Sequence, residues 1–277
     1  MRQLMFFRKI WKWLFCVYLL PILGWAYEDQ PWIGNYLEFE WTSSLQFQCY
    51  KDLSCKSNSK PYLSRDIFLY TQLALAATPQ LSLNLGAMAA RTNKQAGSID
   101  HLEFNGRYIF LDDVIGDPVT LTLGINLVHA FPRSLRDPSS FHHGKNEGEL
   151  FISMGKEWAE KDQWSSRLWA KVGLGSALND SAWIRLKIAF AQRIRLYHEF
   201  EIFSRTLCGF GRRSLNLRHF HGYGSIDHQS IDLGLRYTYL IDFVGNLSVE
   251  YAKRVYSQNF PSKANQIQLT FFYPFGL

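Results

Sequence analysis

Along most of this chain apolar and polar residues alternate with a period of two. The C-terminal stretch is the clearest case. Ile267, Leu269, Phe271, Tyr273, Phe275 and Leu277 alternate with Gln266, Gln268, Thr270, Phe272, Pro274 and Gly276. In an extended strand these two sets project to opposite faces. The same alternation runs through Ile231–Ile241 and Val119–Leu127. No segment sustains the i, i+3, i+4, i+7 stripe of an amphipathic helix. The pattern predicts twelve strands, at 36–50, 66–77, 81–91, 99–111, 118–130, 148–157, 165–176, 182–191, 194–203, 230–241, 247–254 and 265–277. Most exceed the ~5–6 residues usual in soluble sheets and reach the ~9–11 residues of a tilted strand that crosses hydrocarbon.

The connections carry a second signal. Those at 51–65, 92–98, 131–147, 177–181, 204–229 and 255–264 average about 13 residues, against about 5 for the intervening ones, the rim asymmetry of membrane barrels. Thr78-Pro79-Gln80, Gly116-Asp117-Pro118 and Gly245-Asn246 supply turn residues on the short side. An even strand count puts both ends of the domain on that side. One stretch competes: Ile67–Ala90 has no charged residue and is long enough for a spanning helix. Pro79 at its centre and alternating leucines on either side fit a hairpin instead. The apolar face is unbroken across the middle of nearly every strand, and the polar face is only partly charged. That suits a wall with lipid outside, and lipid demands that the sheet close on itself. The predicted fold is all-β: one closed antiparallel transmembrane barrel over 27–277.

Composition narrows the classes further. With 277 residues, 47% hydrophobic and 19% charged, the chain is too apolar for disorder. It is too polar for a bundle of membrane helices. Residues 1–26 read as a cleaved secretory leader: Arg2, Arg8, Lys9 and Lys12 lead an apolar run at 14–23, and Gly24-Trp25-Ala26 offers small residues before Tyr27. The formal net charge of +6 falls to +2 without those four cations, so it implies no nucleic-acid partner. In an oxidising compartment, Cys49 and Cys55 flank a turn-like stretch and are a candidate local disulfide. Three unpaired thiols, with Cys208, are the alternative.

The leader, the twelve alternating segments and the ending Phe271-Phe272-Tyr273-Pro274-Phe275-Gly276-Leu277 together resemble bacterial outer-membrane β-barrel proteins over the whole mature length. The ending is similar to the aromatic signal that the barrel-assembly machinery reads, with Leu277 where Phe or Trp is usual. The resemblance implies the outer membrane of a Gram-negative bacterium, lipid around the barrel, and that machinery as partner. It implies neither a cofactor nor an oligomeric state.

Parity then assigns lumen charges. The first and fourth strands contribute Glu38, Glu40, Glu103 and Arg107. The seventh to ninth contribute Arg167, Lys171, Arg185, Lys187, Arg195, Glu199 and Glu201, a basic patch with acids beside it. Asp232, Arg236 and Glu250 follow on the tenth and eleventh. One reading is a water-filled passive channel for small polar solutes, with Arg185, Lys187 and Arg195 converging to favour anions. The other is a closed lumen in which the charges pair. A barrel acting through its loops is a third. Loop 204–229 is basic, with Arg205, Arg212, Arg213 and Arg218, and His219 and His221 form a weak metal pair without a third ligand. His228-Gln229-Ser230 and Gly222–Asp227 resemble outer-membrane phospholipase A, which implies a lipid hydrolase with Ser230 as nucleophile and His228 as base. Ile231-Asp232 stands where that family has Asn-Gly, and parity turns both residues to the lumen.

Overall fold

The computed structural model describes residues 30–276 except 56–58, 161–163, 179, 196 and 242–243. The predicted leader and Leu277 lie outside the described residues. The strands are β1 (Glu38–Ser54), β2 (Ser59–Ala76), β3 (Leu81–Arg91), β4 (Ala96–Leu111), β5 (Thr120–Ala130) and β6 (Asn146–Glu160). They continue as β7 (Trp164–Ala177), β8 (Trp183–Ile194), β9 (His198–Gly209), β10 (Gln229–Ile241) and β11 (Gly245–Gln258). A two-residue β12 (Pro261–Ser262) precedes β13 (Asn265–Gly276). Each long strand pairs antiparallel with its neighbours, and β1 pairs with both β2 and β13. That seam closes the ring: twelve strands, with β12 added on the end of β1. Ile67–Ala90 is the β2–β3 hairpin, not a helix.

Closure leaves no sheet edge, so every wall residue has only two places to put its side chain. Leu85, Ile125, Leu150, Ile152, Leu235 and Ile267 are exposed on the outside. They form the apolar belt of a membrane-spanning wall. Near the short-turn rim the belt becomes aromatic, with Phe39 stacked on Phe275 at 5.5 Å and Trp41 against Phe271. The inside is polar and crowded.

Three expectations are corrected by the strand ends. β1 and β2 run on to Ser54 and from Ser59, so the loop expected at 51–65 is mostly sheet. The residues between Cys49 and Cys55 are therefore extended, which separates the two by roughly 20 Å, far beyond disulfide reach. Both are free thiols, as is Cys208. Second, β8 continues through Gln192 and Arg193, and the turn comes later. Arg195 sits in that turn with φ of 52° and is exposed, so it does not join the lumen cations. Third, β9 extends to Gly209, which moves Arg205 from the loop into the wall. The rim asymmetry survives chiefly in two loops, 131–145 and 210–228.

A β-bulge interrupts the alternation on β4. There His101 pairs with Met88 and Ile99 with Ala89, so Asp100 has no partner on β3. The extra residue shifts the pleat. Ile99 turns outward, and the consecutive Asp100 and His101 are both buried inside.

Candidate functional site

The lumen is narrowed at both ends, and a chamber lies toward the loop end. At the short-turn end the segment before β1 enters the barrel. Trp32 is buried there, edge-on to Trp169 at 6.1 Å. The Arg167 guanidinium lies 4.8 Å over its ring, and its Nε1 donates to Asp113 Oδ1 at 2.9 Å. Inward-facing Ala189, Ala191 and Ala252 leave the width this aromatic floor needs. Arg107 anchors the segment by donating to the Gln30 and Trp32 carbonyls, and Thr122 donates to the Pro31 carbonyl.

At the other end two loops fold inward onto the strand ends. Tyr50, Leu53, Leu215, Phe220, Tyr223 and Phe260 form one buried apolar core, with Phe141 packed against it. Backbone bonds join the loops: Tyr223 and Gly224 donate to the His142 and His143 carbonyls, and Ser181 donates to Gly224. Gly222, with φ of 97°, permits this approach, because a Cβ there would press on both histidine carbonyls.

The walls between are charged, and the charges are paired. Arg185 meets Glu149 at 3.2 Å and Lys187 meets Glu201 at 3.3 Å. Arg236 reaches both Glu201 and Glu250, and Arg205 also bonds Glu250 at 2.5 Å. Arg254 forks onto Asp232 at 2.7 and 2.9 Å while lying over Phe260. Lower down Arg193 pairs with Glu199, and Arg167 with Glu157. Lys171 sits over the Phe151 ring. Glu40, Glu103, Arg107, Arg167, Lys171, Arg185, Lys187, Glu199, Glu201, Asp232, Arg236 and Glu250 all lie on the inner face of the wall. Glu38 stands at the rim, bonded to Asn35. A chamber of about 230 Å3 lies among the charges nearer the loop end, with His101, Glu103, His142, Lys171, Lys187 and Ser230 among its walls.

A line of titratable groups runs beneath the loop core. Asp100 Oδ2 accepts from His101 Nδ1 at 2.9 Å and from His142 Nε2 at 2.7 Å. The far nitrogen of His142 lies 3.3 Å from Glu147 Oε1, which also accepts from the His143 backbone at 2.6 Å. The far nitrogen of His101 faces Glu103 at 3.9 Å. Burial pushes His142 down, but Asp100 and Glu147 outweigh it and hold the imidazole up at about 10. His143 stacks on Trp183 at 3.8 Å and meets His228, Nε2 to Nε2, at 3.2 Å. His228 Nδ1 donates to the Ile226 carbonyl at 2.9 Å, so its Nε2 accepts from His143. Its ring fills the space above Gly209, where a Cβ would fall inside the imidazole. Burial first, then His143, pushes His228 down to about 3.

His228 and Ser230 both face inward. Both imidazole nitrogens of His228 are engaged elsewhere, and no hydrogen bond joins it to Ser230. His219 and His221 are exposed on loop 210–228. Among the described residues, Asp100, His101 and His142 are the three that bring metal-ligand atoms within 4.8 Å of one another. Sequence reasoning missed all three, and also Glu147, Glu149, Arg254 and Trp32, and it placed Arg205 in the basic loop and not in the wall. Glu149 and Arg254 were legible from parity alone, since Leu150, Ile152 and Tyr251 mark the outward phase of their strands; Glu147 was not, because β6 begins at Asn146, ahead of the predicted strand. Asp100 was not, because the bulge reverses the phase.

No protein-family model and no curated protein matches the sequence. Solved structures do resemble the fold. An outer-membrane channel from Pseudomonas putida superposes with a TM-score of 0.61 at 10% identity, over 91% of this chain and all of that one. The translocator domain of the autotransporter NalP from Neisseria meningitidis gives 0.50 at 10% identity, over 87% and 90%. The KdgM porin in complex with oligogalacturonate gives 0.49 at 10% identity, over 84% and 99%. The chain has the fold of the bacterial outer-membrane β-barrels.

Proposed function

We propose that this chain is a gated outer-membrane channel for small polar solutes, exported by its leader and inserted with the short turns in the periplasm. The observation that carries the reading is the chamber: charged walls of both signs beneath a loop ceiling, with the aromatic floor farther along the lumen. About 230 Å3 lies below the roughly 300–1,000 Å3 of pockets for drug-sized ligands, which suits a small solute. The floor is a strand-free segment held by a few side chains, and so is the part best able to move. Fixed charges in a narrow, low-dielectric tube would act on what passes. The P. putida channel supports the reading through its shared fold.

Current across planar bilayers tests it. Wild-type protein should rest closed and show brief openings, and deletion of residues 30–36 should lengthen the open state. A flat baseline from both proteins would overturn the proposal. A steady open current from the wild type would do so too, because the lumen would then be unobstructed.

A further inference from the structure

We infer that Asp100, His101 and His142 form a binding site for a divalent first-row transition metal at the loop end of the lumen. The inference does not depend on whether solutes pass through the barrel. Three donor atoms converge here, one carboxylate oxygen and two imidazole nitrogens, within 4.8 Å of one another. The two rings stand nearly perpendicular, at 82°, so their nitrogens approach from different directions. Two imidazoles select a transition metal over Ca2+ or Mg2+, which prefer oxygen.

The surroundings of the donors argue for a site and against a plain Asp–His pair. Each histidine turns its other nitrogen to a second carboxylate, Glu147 for His142 and Glu103 for His101. This arrangement orients metal-bound imidazoles and raises their basicity. Asp100 Oδ1 is held by the Gln95 amide at 3.2 Å, which leaves Oδ2 for the ligand position. The Asp100 carbonyl is itself tied by Ser134 Oγ and the Phe131 amide. All three donors are buried, and the site unites a wall strand with loop 131–145. In the metal-free chain protons sit between Asp100 and its imidazoles; the ion would take their place. His101 and His142 also border the chamber. A three-donor site with an open side toward a cavity leaves a coordination position for water or a small anion.

The test uses untagged full-length protein, folded in detergent micelles and stripped with chelator, then titrated with Co2+ and Zn2+. One Co2+ should bind per chain with a visible ligand-field spectrum, and Zn2+ should displace it. Asp100→Asn and His142→Gln should each weaken Co2+ binding on the order of 100-fold or more, and Glu147→Gln, which keeps all three donors, about 10-fold. His219→Gln/His221→Gln should bind as the wild type does. Strand content by circular dichroism and heat-modifiable gel mobility show which variants fold. Should Asp100→Asn not fold, His101→Gln and His142→Gln decide the matter. Absence of stoichiometric Co2+ binding by the folded wild type would overturn the inference. So would affinity unchanged in a folded His142→Gln or His101→Gln variant.

Discussion

Replacing Trp32 by alanine should open the floor of the lumen. Trp32 is 9% exposed. Burying a tryptophan removes some 150–250 Å2 from water, which at ~25 cal/mol/Å2 is about 4–6 kcal/mol as an upper bound. Tryptophan-to-alanine changes in protein cores cost roughly 3–5 kcal/mol. The contacts with Trp169, Arg167 and Asp113 lie within that total. The floor faces a water-accessible lumen, so we take the lower end, about 3 kcal/mol. At 1.4 kcal/mol per tenfold, the open fraction should rise about 100-fold. Single-channel recording at low voltage reads this directly as open probability. Trp32→Phe keeps the packing and loses the hydrogen bond to Asp113, a loss of about 1 kcal/mol, and should raise it only about fivefold. Tyr36 belongs to the same segment but is exposed, so Tyr36→Ala should change nothing. Equal open probabilities for Trp32→Ala and wild type would refute the assignment of this segment as the block.

Other contacts set further expectations. In the Trp32→Ala background, Arg185→Glu/Lys187→Glu sets new acids against Glu149 and Glu201. The reversal potential in a salt gradient should shift toward cations, more at 0.1 M than at 1 M, where the screening length falls from ~10 to ~3 Å. Arg254→Ala leaves Asp232 without its fork, and removing one partner of a buried pair costs about 3–5 kcal/mol; urea unfolding should show that loss. Acid should loosen the loop ceiling through His228, which faces His143, Arg185 and Asp227. Its pKa is depressed in the folded state, so the undocked loop binds more protons. Stability is intact above pH 6.5 and falls as pH drops toward 3, by up to about 1.4 kcal/mol per unit. Hydrogen exchange over 210–228 should quicken across that window, and less so in His228→Asn.

The wall was legible because a strand between lipid and lumen writes its two faces into alternate residues. Ile231–Ile241 needed no partner to be read correctly. Strand ends were harder. Above the lipid the outward face is no longer selected to be apolar, so Lys51–Ser54 and Lys60–Arg65 look like loop although they are paired. Loop 131–145 could not be placed either: its Phe141 and His142 gain their roles only from Tyr223 and Asp100, far away in sequence. Pro31-Trp32 carries no signal of its own, because nothing local says that it turns inward. The candidate site was hidden most thoroughly, since a bulge is a relation between two strands and no single strand records it.

That bulge has a bearing on descent. The pairing of β3 with β4 is in step immediately on either side of Asp100, the next shift coming at Gly97. Dropping this one residue would leave Ile99 opposite Ala89 and His101 opposite Met88, as they already stand. The barrel would lose a ligand and keep its wall. This chemistry can therefore be discarded through the loss of a single codon, with no other strand required to change.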